Sequence, residues 1–372
     1  MLRNFVAQPG RRQHRRWLTA LILAAGLAVA IAAPAASQTL APPAGHVFFG
    51  VSDRGSATEF KEFADAVGKH PAVLQTFHPW GNTLNLAIPR WQQLRVRPML
   101  HISTMDDQTL AELITPQSIA LGAGDNYLLR LNQTFAEVGT PTFVRPLGEA
   151  NRCLNAWSAV TCGGTPRGAG HTQHNYKQAF RRIAILVRGG GALAKINARL
   201  KAAGLPPVKR QGGPEPVSLP AAPVSIVWSQ LPGGSPPVRG NRPGDYWPGA
   251  AYVDWIGTDF YSRYPYWRLI NRFYRKFSGR RFGRKPISLT EWAVSGVDDP
   301  KFIRQIFAWT HRRKRVRMLI YYRGFGEAGN QYRIGLYPRS LAALRQKLKQ
   351  NRFPAFTPNP AEPPPPTGGV GG

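Results

Sequence analysis

Eight short apolar runs, most of them separated by stretches of helical periodicity, constrain this chain more than any other feature. They fall at 46–51, 72–77, 96–102, 142–147, 224–228, 253–257, 286–289 and 317–322. Runs this short and this apolar describe strands covered on both faces, and helices between them describe parallel βα units. The helix signals are local. Ser56-Ala57-Thr58-Glu59 reads as a capping box, followed by Phe60, Phe63, Ala64 and Val67 at helical spacing and a stop at Gly68. Further helices are expected from Asp125, over 176–187, 192–203 and 267–277, from Asp298-Asp299-Pro300, and over 340–349. Eight βα units close most economically as one (β/α)8 TIM barrel of the α/β class, a fold of about 250 residues to which loops are added here. Pro98 weakens the third run, and 189–222 is rich in Gly and Pro, reading as the helical stretch near 192–203 followed by an inserted loop. The rival is a doubly wound open sheet, which would want a Gly-rich phosphate turn after the first strand; VSDRG at 51–55 is not one.

The barrel is expected over residues 46–352. Before it, Arg11, Arg12, Arg15 and Arg16 precede an apolar run and then Ala35-Ala36-Ser37, the order of an export signal. Residues 1–36 therefore read as a signal peptide or an uncleaved N-terminal anchor, and 37–45 as a Pro-rich spacer. Residues 353–372 read as a disordered Pro/Gly tail. A secreted or envelope-associated protein is expected. The chain carries 49 basic against 19 acidic residues, net +30, with clusters at 272–285 and 312–317. That charge suits anionic cell-envelope polymers, or is no more than solvated helix faces in a basic chain. Nucleic acid fits the charge but not the export signal. In an exported chain the two cysteines, Cys153 and Cys162, are expected to pair. No His/Cys cluster has metal-ligand spacing, so neither metal nor cofactor is expected, and a monomer is.

A barrel of this kind places its chemistry where the strands end. Asp53, Asp106, Asp107, Glu149, Asp259, Glu291 and Glu327 all fall near such ends, in a chain poor in acids. Glu149 in FVRPLGE and Glu291 in PISLTE follow the fourth and seventh runs, which face one another across a barrel of eight. Two carboxylates across a cleft are what glycoside hydrolysis needs: one protonates the leaving oxygen, and the other attacks or activates water. Taken singly, a strand-end glutamate is also an ordinary solvated or salt-bridged residue.

The residues also resemble a family. VRPLGEANR is similar to the Arg-Pro-x-His-Glu-x-Asn pattern of glycoside hydrolase family 26. IVWSQ at 226–230, GDYWPGAAYVDWIGTDFY at 244–261 and KPISLTEW at 285–292 resemble that family's fifth, sixth and seventh strand segments. The resemblance implies a retaining endo-acting hydrolase of a β-linked polysaccharide, of β-mannan or β-glucan type. Glu149 would be its acid/base and Glu291 its nucleophile. Tyr261 would hydrogen-bond the nucleophile, and Arg145 and Asn151 would support the site. The family's histidine before the acid/base is replaced by Gly148, which reads otherwise as a tight turn needing positive φ.

Sugar rings stack on aromatic faces. Trp80, Trp157, Trp228, Trp247, Trp292 and Tyr322 lie near strand ends and are expected as platforms, with His78, Asp53 and Arg323 as rim contacts. Trp255 and Trp309 are assigned to the core. The second reading is a non-catalytic carbohydrate-binding barrel of the cell envelope, with the loss of the histidine marking lost catalysis.

Overall fold

The computed structural model describes residues 40–54, 56–210, 212, 216–324 and 330–354. All of them belong to one of the chain's two compact units, Pro34–Gly372. The expected leader, the first part of the spacer, Glu327 and the tail from 355 on lie outside the described residues.

Eight parallel strands form a closed barrel in chain order: β1 Phe48–Ser52, β2 Val73–Pro79, β3 Arg97–Ser103, β4 Thr142–Pro146, β5 Val224–Gln230, β6 Trp255–Tyr261, β7 Ile287–Ala293 and β8 Val316–Tyr322. Nine helices surround it among the described residues: α1 Ala57–Val67, α2 Ala87–Gln93, α3 Pro116–Ala120, α4 Asp125–Val138, α5 Gln173–Arg188, α6 Leu193–Ala202, α7 Trp267–Phe277, α8 Pro300–His311 and α9 Pro338–Leu348. This is the TIM barrel the run pattern called for.

Several helix signals act as read. The Ser56 side chain accepts from Glu59 N, Gly68 ends α1 in the left-handed region, and Asp299 caps α8 by accepting from Phe302 N. Two helices were not anticipated, α2 and the single-turn α3. The Gly/Pro-rich segment also holds an antiparallel ribbon, Gly189–Ala192 with Ser218–Ala221. The insertion is held by a buried ion pair: Arg182 of α5 meets Asp125 of α4, and both reach its backbone at Pro206, Pro207 and Lys209. At the far end, Phe353 was expected to begin the tail. It is instead buried, its ring 5.2 Å from that of Phe307, because an apolar ring gains more in the α8 crevice than in water.

Alternation along each strand divides its side chains between two cores. Phe48, Val73, Met99, Phe143, Val227, Trp255 and Met318 fill the lower barrel interior. Phe49, Leu74, Leu100, Val144, Ile226, Ile256 and Leu289 belong to the larger core shared with the helices. Higher in the interior the inward residues turn polar: Gln75, Arg145, Ser229, Asp259 and Thr290 are all fully or almost fully buried there.

One irregularity matters for function. Across β6 and β7 the register runs Thr258 to Leu289 and then Asp259 to Glu291; across β8 and β7 it runs Leu319 to Leu289 and then Tyr321 to Trp292. Thr290 is therefore an extra residue, a β-bulge. A bulge lets two successive side chains share a face. Thr290 and Glu291 both turn into the barrel, and Trp292 is returned to the outer core.

Candidate active site

Glu149 sits on the turn that leaves β4. Leu147 and Glu149 both have positive φ, 51° and 52°, an uncommon conformation for residues with a Cβ. Backbone hydrogen bonds hold the turn on both sides: Leu147 N donates to Ile102 O at 2.9 Å and Glu149 N to Ser229 O at 3.0 Å. The expectation that Gly148 itself supplies the positive φ is wrong. Gly148 is small for another reason: a Cβ there would lie 2.8 Å from Arg145 Nε and 3.0 Å from its Cζ.

Arg145 fills that space because it is the hub of the upper barrel. It donates through Nε to Ser229 Oγ (2.6 Å), through Nη2 to Asp259 Oδ2 (2.6 Å), and through Nη1 to Glu291 Oε1 and, at 3.4 Å, to Gln75 Oε1. Gln75 in turn donates to the carbonyl of the bulged Thr290. Thr290 Oγ1 donates to Asp259 Oδ1 at 2.6 Å, and Tyr261 OH donates to Glu291 Oε2 at 2.6 Å. Both oxygens of Glu291 thus have a donor. Glu149 Oε2 accepts from Arg152 Nη1 at 3.1 Å.

Three carboxyl groups (Glu149, Asp259, Glu291) and two guanidiniums (Arg145, Arg152) share this space. Fully ionised, the group would carry one net negative charge, and one proton neutralises it. Burial pushes the Asp259 carboxyl well above the usual range against the pull of Arg145, and the charges of Glu291 and Glu149 push it further. Burial and then the Glu291 charge likewise raise the Tyr261 phenol, so it stays a donor. Burial alone would lower the Arg145 guanidinium, but Asp259 and Glu291 outweigh it. Glu149 does the same for Arg152.

Glu149, Asp259, Tyr261, Glu291 and Tyr322 line one cleft of about 560 Å³, together with Arg152, Leu154, Arg263, Tyr264, Tyr266 and Tyr332. The structure therefore brings together Glu149, Glu291, Tyr261 and Tyr322 of the residues singled out in the sequence. Arg145 touches two of the cleft's acids but is itself fully buried, which keeps it from a ligand.

The other expected contacts are corrected. Asn151 is fully buried and braces loops: its side chain donates to Leu231 O and Gly233 O and accepts from Leu231 N. Trp157 is 4% exposed and its indole donates to Gly148 O, so it supports the turn instead of offering a face. Trp228 is fully buried and donates to Tyr246 O; Trp247 packs on it and on Phe282. Trp292 is fully buried against Tyr321 and Phe307, a consequence of the bulge. Trp80 packs on Tyr127. His78 lines a different hollow with Arg54, Arg90 and Trp91. Asp53 is buried, and Arg323 is buried in ion pairs with Glu59 and Glu62 of α1.

Sequence reasoning missed Arg152, Arg263, Tyr264, Tyr266 and Tyr332 and left Asp259 without a role. Two signals were available. Asp259 and Tyr261 are two apart on a strand and so share a face, and YSRYPYW (261–267) continues the aromatic pattern beyond the strand end. Cys153 and Cys162 form the expected disulfide, which closes the loop that carries Leu154.

No protein-family model matches the sequence, and no curated protein matches it. Solved structures do match in fold. A Bacillus subtilis mannanase superposes with a TM-score of 0.52 at 16% identity, over 88% of this chain and 93% of that one. The catalytic domain of a Bacillus sp. GH26 endo-β-1,4-mannanase gives 0.53 at 13% identity, over 83% and 87%. A GH26A protein of Muricauda sp. gives 0.50 at 16% identity, over 83% and 91%. At such identities the likeness speaks for the barrel fold and leaves the chemistry to be argued from this chain's own residues.

Proposed function

We propose that this protein is an exported, retaining glycoside hydrolase that cuts a β-linked polysaccharide of mannan or β-glucan type, with Glu149 as acid/base and Glu291 as nucleophile. The observation that carries the reading is the pair of carboxyls in one cleft, held by different partners. Glu291 receives Arg145 on one oxygen and Tyr261 on the other. Both donors hold the carboxylate in place to attack an anomeric carbon. Glu149 leaves the end of β4, three strands round the barrel from β7, and lies next to Asp259, on which burial favours the cluster's single proton. An acid that must give a proton to a leaving oxygen and take one from water is served by such a neighbour. The fold shared with GH26 mannanases adds support, as do the tyrosines along the cleft, whose faces suit sugar rings.

One contact favours the second reading, a non-catalytic carbohydrate-binding barrel. Arg152 donates to one of the two oxygens of Glu149, the group that would have to protonate a leaving oxygen. Its side chain is 44% exposed, so it can swing clear into water. A screen of the purified chain against β-mannan, β-glucan and xylan separates the two. Hydrolysis is expected for one of them, with the β-anomer appearing first in proton NMR. Retention of a polysaccharide in affinity electrophoresis with no product after long incubation would favour the second reading.

A further inference from the structure

Among the described residues, the charge balance of the cleft leaves one cation over. Arg145 and Arg152 are matched by the three carboxyls and their shared proton. Arg263 lines the same cleft and makes no ion pair or hydrogen bond among the described residues. Its guanidinium carbon lies 5.7 Å from the Tyr264 ring centroid, a cation–π approach. Tyr264 and Tyr266 are stacked at 6.4 Å and are 55% and 60% exposed, an open aromatic ledge at the cleft's edge. Arg263 lines the cleft beside that ledge, along with Tyr332 on the cleft wall. An unpaired guanidinium beside a sugar-sized aromatic ledge is a site for an anionic group on a sugar ring. The protein's net charge of +30 would draw such a chain in.

We propose that the cleft takes an acidic glycan, in which a carboxylate-bearing sugar lies on the Tyr264–Tyr266 ledge and pairs with Arg263. This inference rests on the hydrolase reading and narrows its substrate class: a mannan- or glucan-type β-linked polysaccharide whose chain includes uronic acid residues. Arg263 is the specificity determinant and takes no part in bond cleavage. A guanidinium's planar fork matches a carboxylate, and the hydroxymethyl group of a neutral hexose offers no charge in return.

The test uses the full chain with Glu291→Gln to stop turnover, and calorimetric titration with two ligands that differ only in charge. These are β-1,4-linked hexamannuronate and its carboxyl-reduced form, mannohexaose. The acidic hexamer should bind at least about tenfold more tightly at low salt. The preference should vanish in Arg263→Gln and shrink in about 0.5 M salt, while mannohexaose binding stays the same in both proteins. Equal affinity for the two hexamers, or a preference that survives Arg263→Gln, overturns the proposal. Hydrolysis is scored separately with Glu291 intact. Cleavage of neutral mannan without any charge preference would leave the hydrolase reading standing and remove this one. A charge preference that depends on Arg263, with no polymer cleaved, would support the acidic-glycan site and count against the hydrolase.

Discussion

At the scale of single residues, Gly148 is the position with most to say. A histidine was expected there from the family pattern, and glycine stands in its place. The upper barrel explains why: Arg145 occupies the space a Cβ would need, and Arg145 is fixed by Ser229, Asp259, Glu291 and Gln75. Restoring the histidine should therefore harm the protein. Gly148→Ala should cost about 1–3 kcal/mol of stability by overpacking, and Gly148→His more, with loss of whatever hydrolysis the wild type shows. Thermal unfolding and reducing-sugar release measure both effects, and a Gly148→His protein of unchanged stability and higher activity would contradict the account. The same scale shows where the sequence misled. Trp292 directly follows Glu291 and Trp157 lies in the loop that follows Glu149, so both look like platforms. Whether an aromatic ring faces a cleft or a helix depends on local backbone, and the Thr290 bulge that turns Trp292 outward leaves no mark in composition.

At the scale of elements, the strands were readable and the loops were not. Apolar runs bounded by turn residues predict strands, because a strand buried on both faces has few other sequences open to it. Each of the eight runs overlaps its strand, with ends displaced by a few residues. The loops after β4 and β5 instead depend on long-range polar contacts. Asn151 ties the first to Leu231 and Gly233 of the second, and Cys153 N donates to Ser235 O. Such ties join residues some 80 positions apart, beyond any local pattern. The disulfide adds a covalent staple over a sequence separation of 9. Closing so short a loop restricts the unfolded chain by about 2–3 kcal/mol. The Cys153→Ser/Cys162→Ser double variant should lose about that much in denaturant unfolding, and reductant should shift the wild type alone. Equal stability with and without the bond would show that the polar ties carry the loop.

At the scale of the whole molecule, acid should weaken the fold through its buried histidines. Burial, and then the charge of Arg90, lowers His78 to about 4; burial, then Arg145 and His78, holds His101 well below its ordinary value. Both stay neutral in the folded protein while the unfolded chain takes up protons below about pH 6.5. Their contribution to stability is thus intact above about 6.5 and is lost as the pH falls toward 4. Asp259 has the opposite sign: its raised carboxyl keeps a proton that the unfolded chain releases above about pH 3.9, so its contribution declines as the pH rises. Melting temperatures from pH 7 to 4 should fall for the wild type and fall less steeply for His78→Gln. Parallel curves would remove His78 from the explanation.

The molecule as a whole stands or falls with the pair of carboxyls at the top of the barrel. The direct test is the rate of reducing-end release, from whichever polymer the wild type cleaves, in Glu291→Ala and Glu149→Ala. Each should fall at least about a thousandfold, because a retaining site cannot replace its nucleophile or its proton donor from the remaining residues. Release at the wild-type rate in either variant would contradict the assignment.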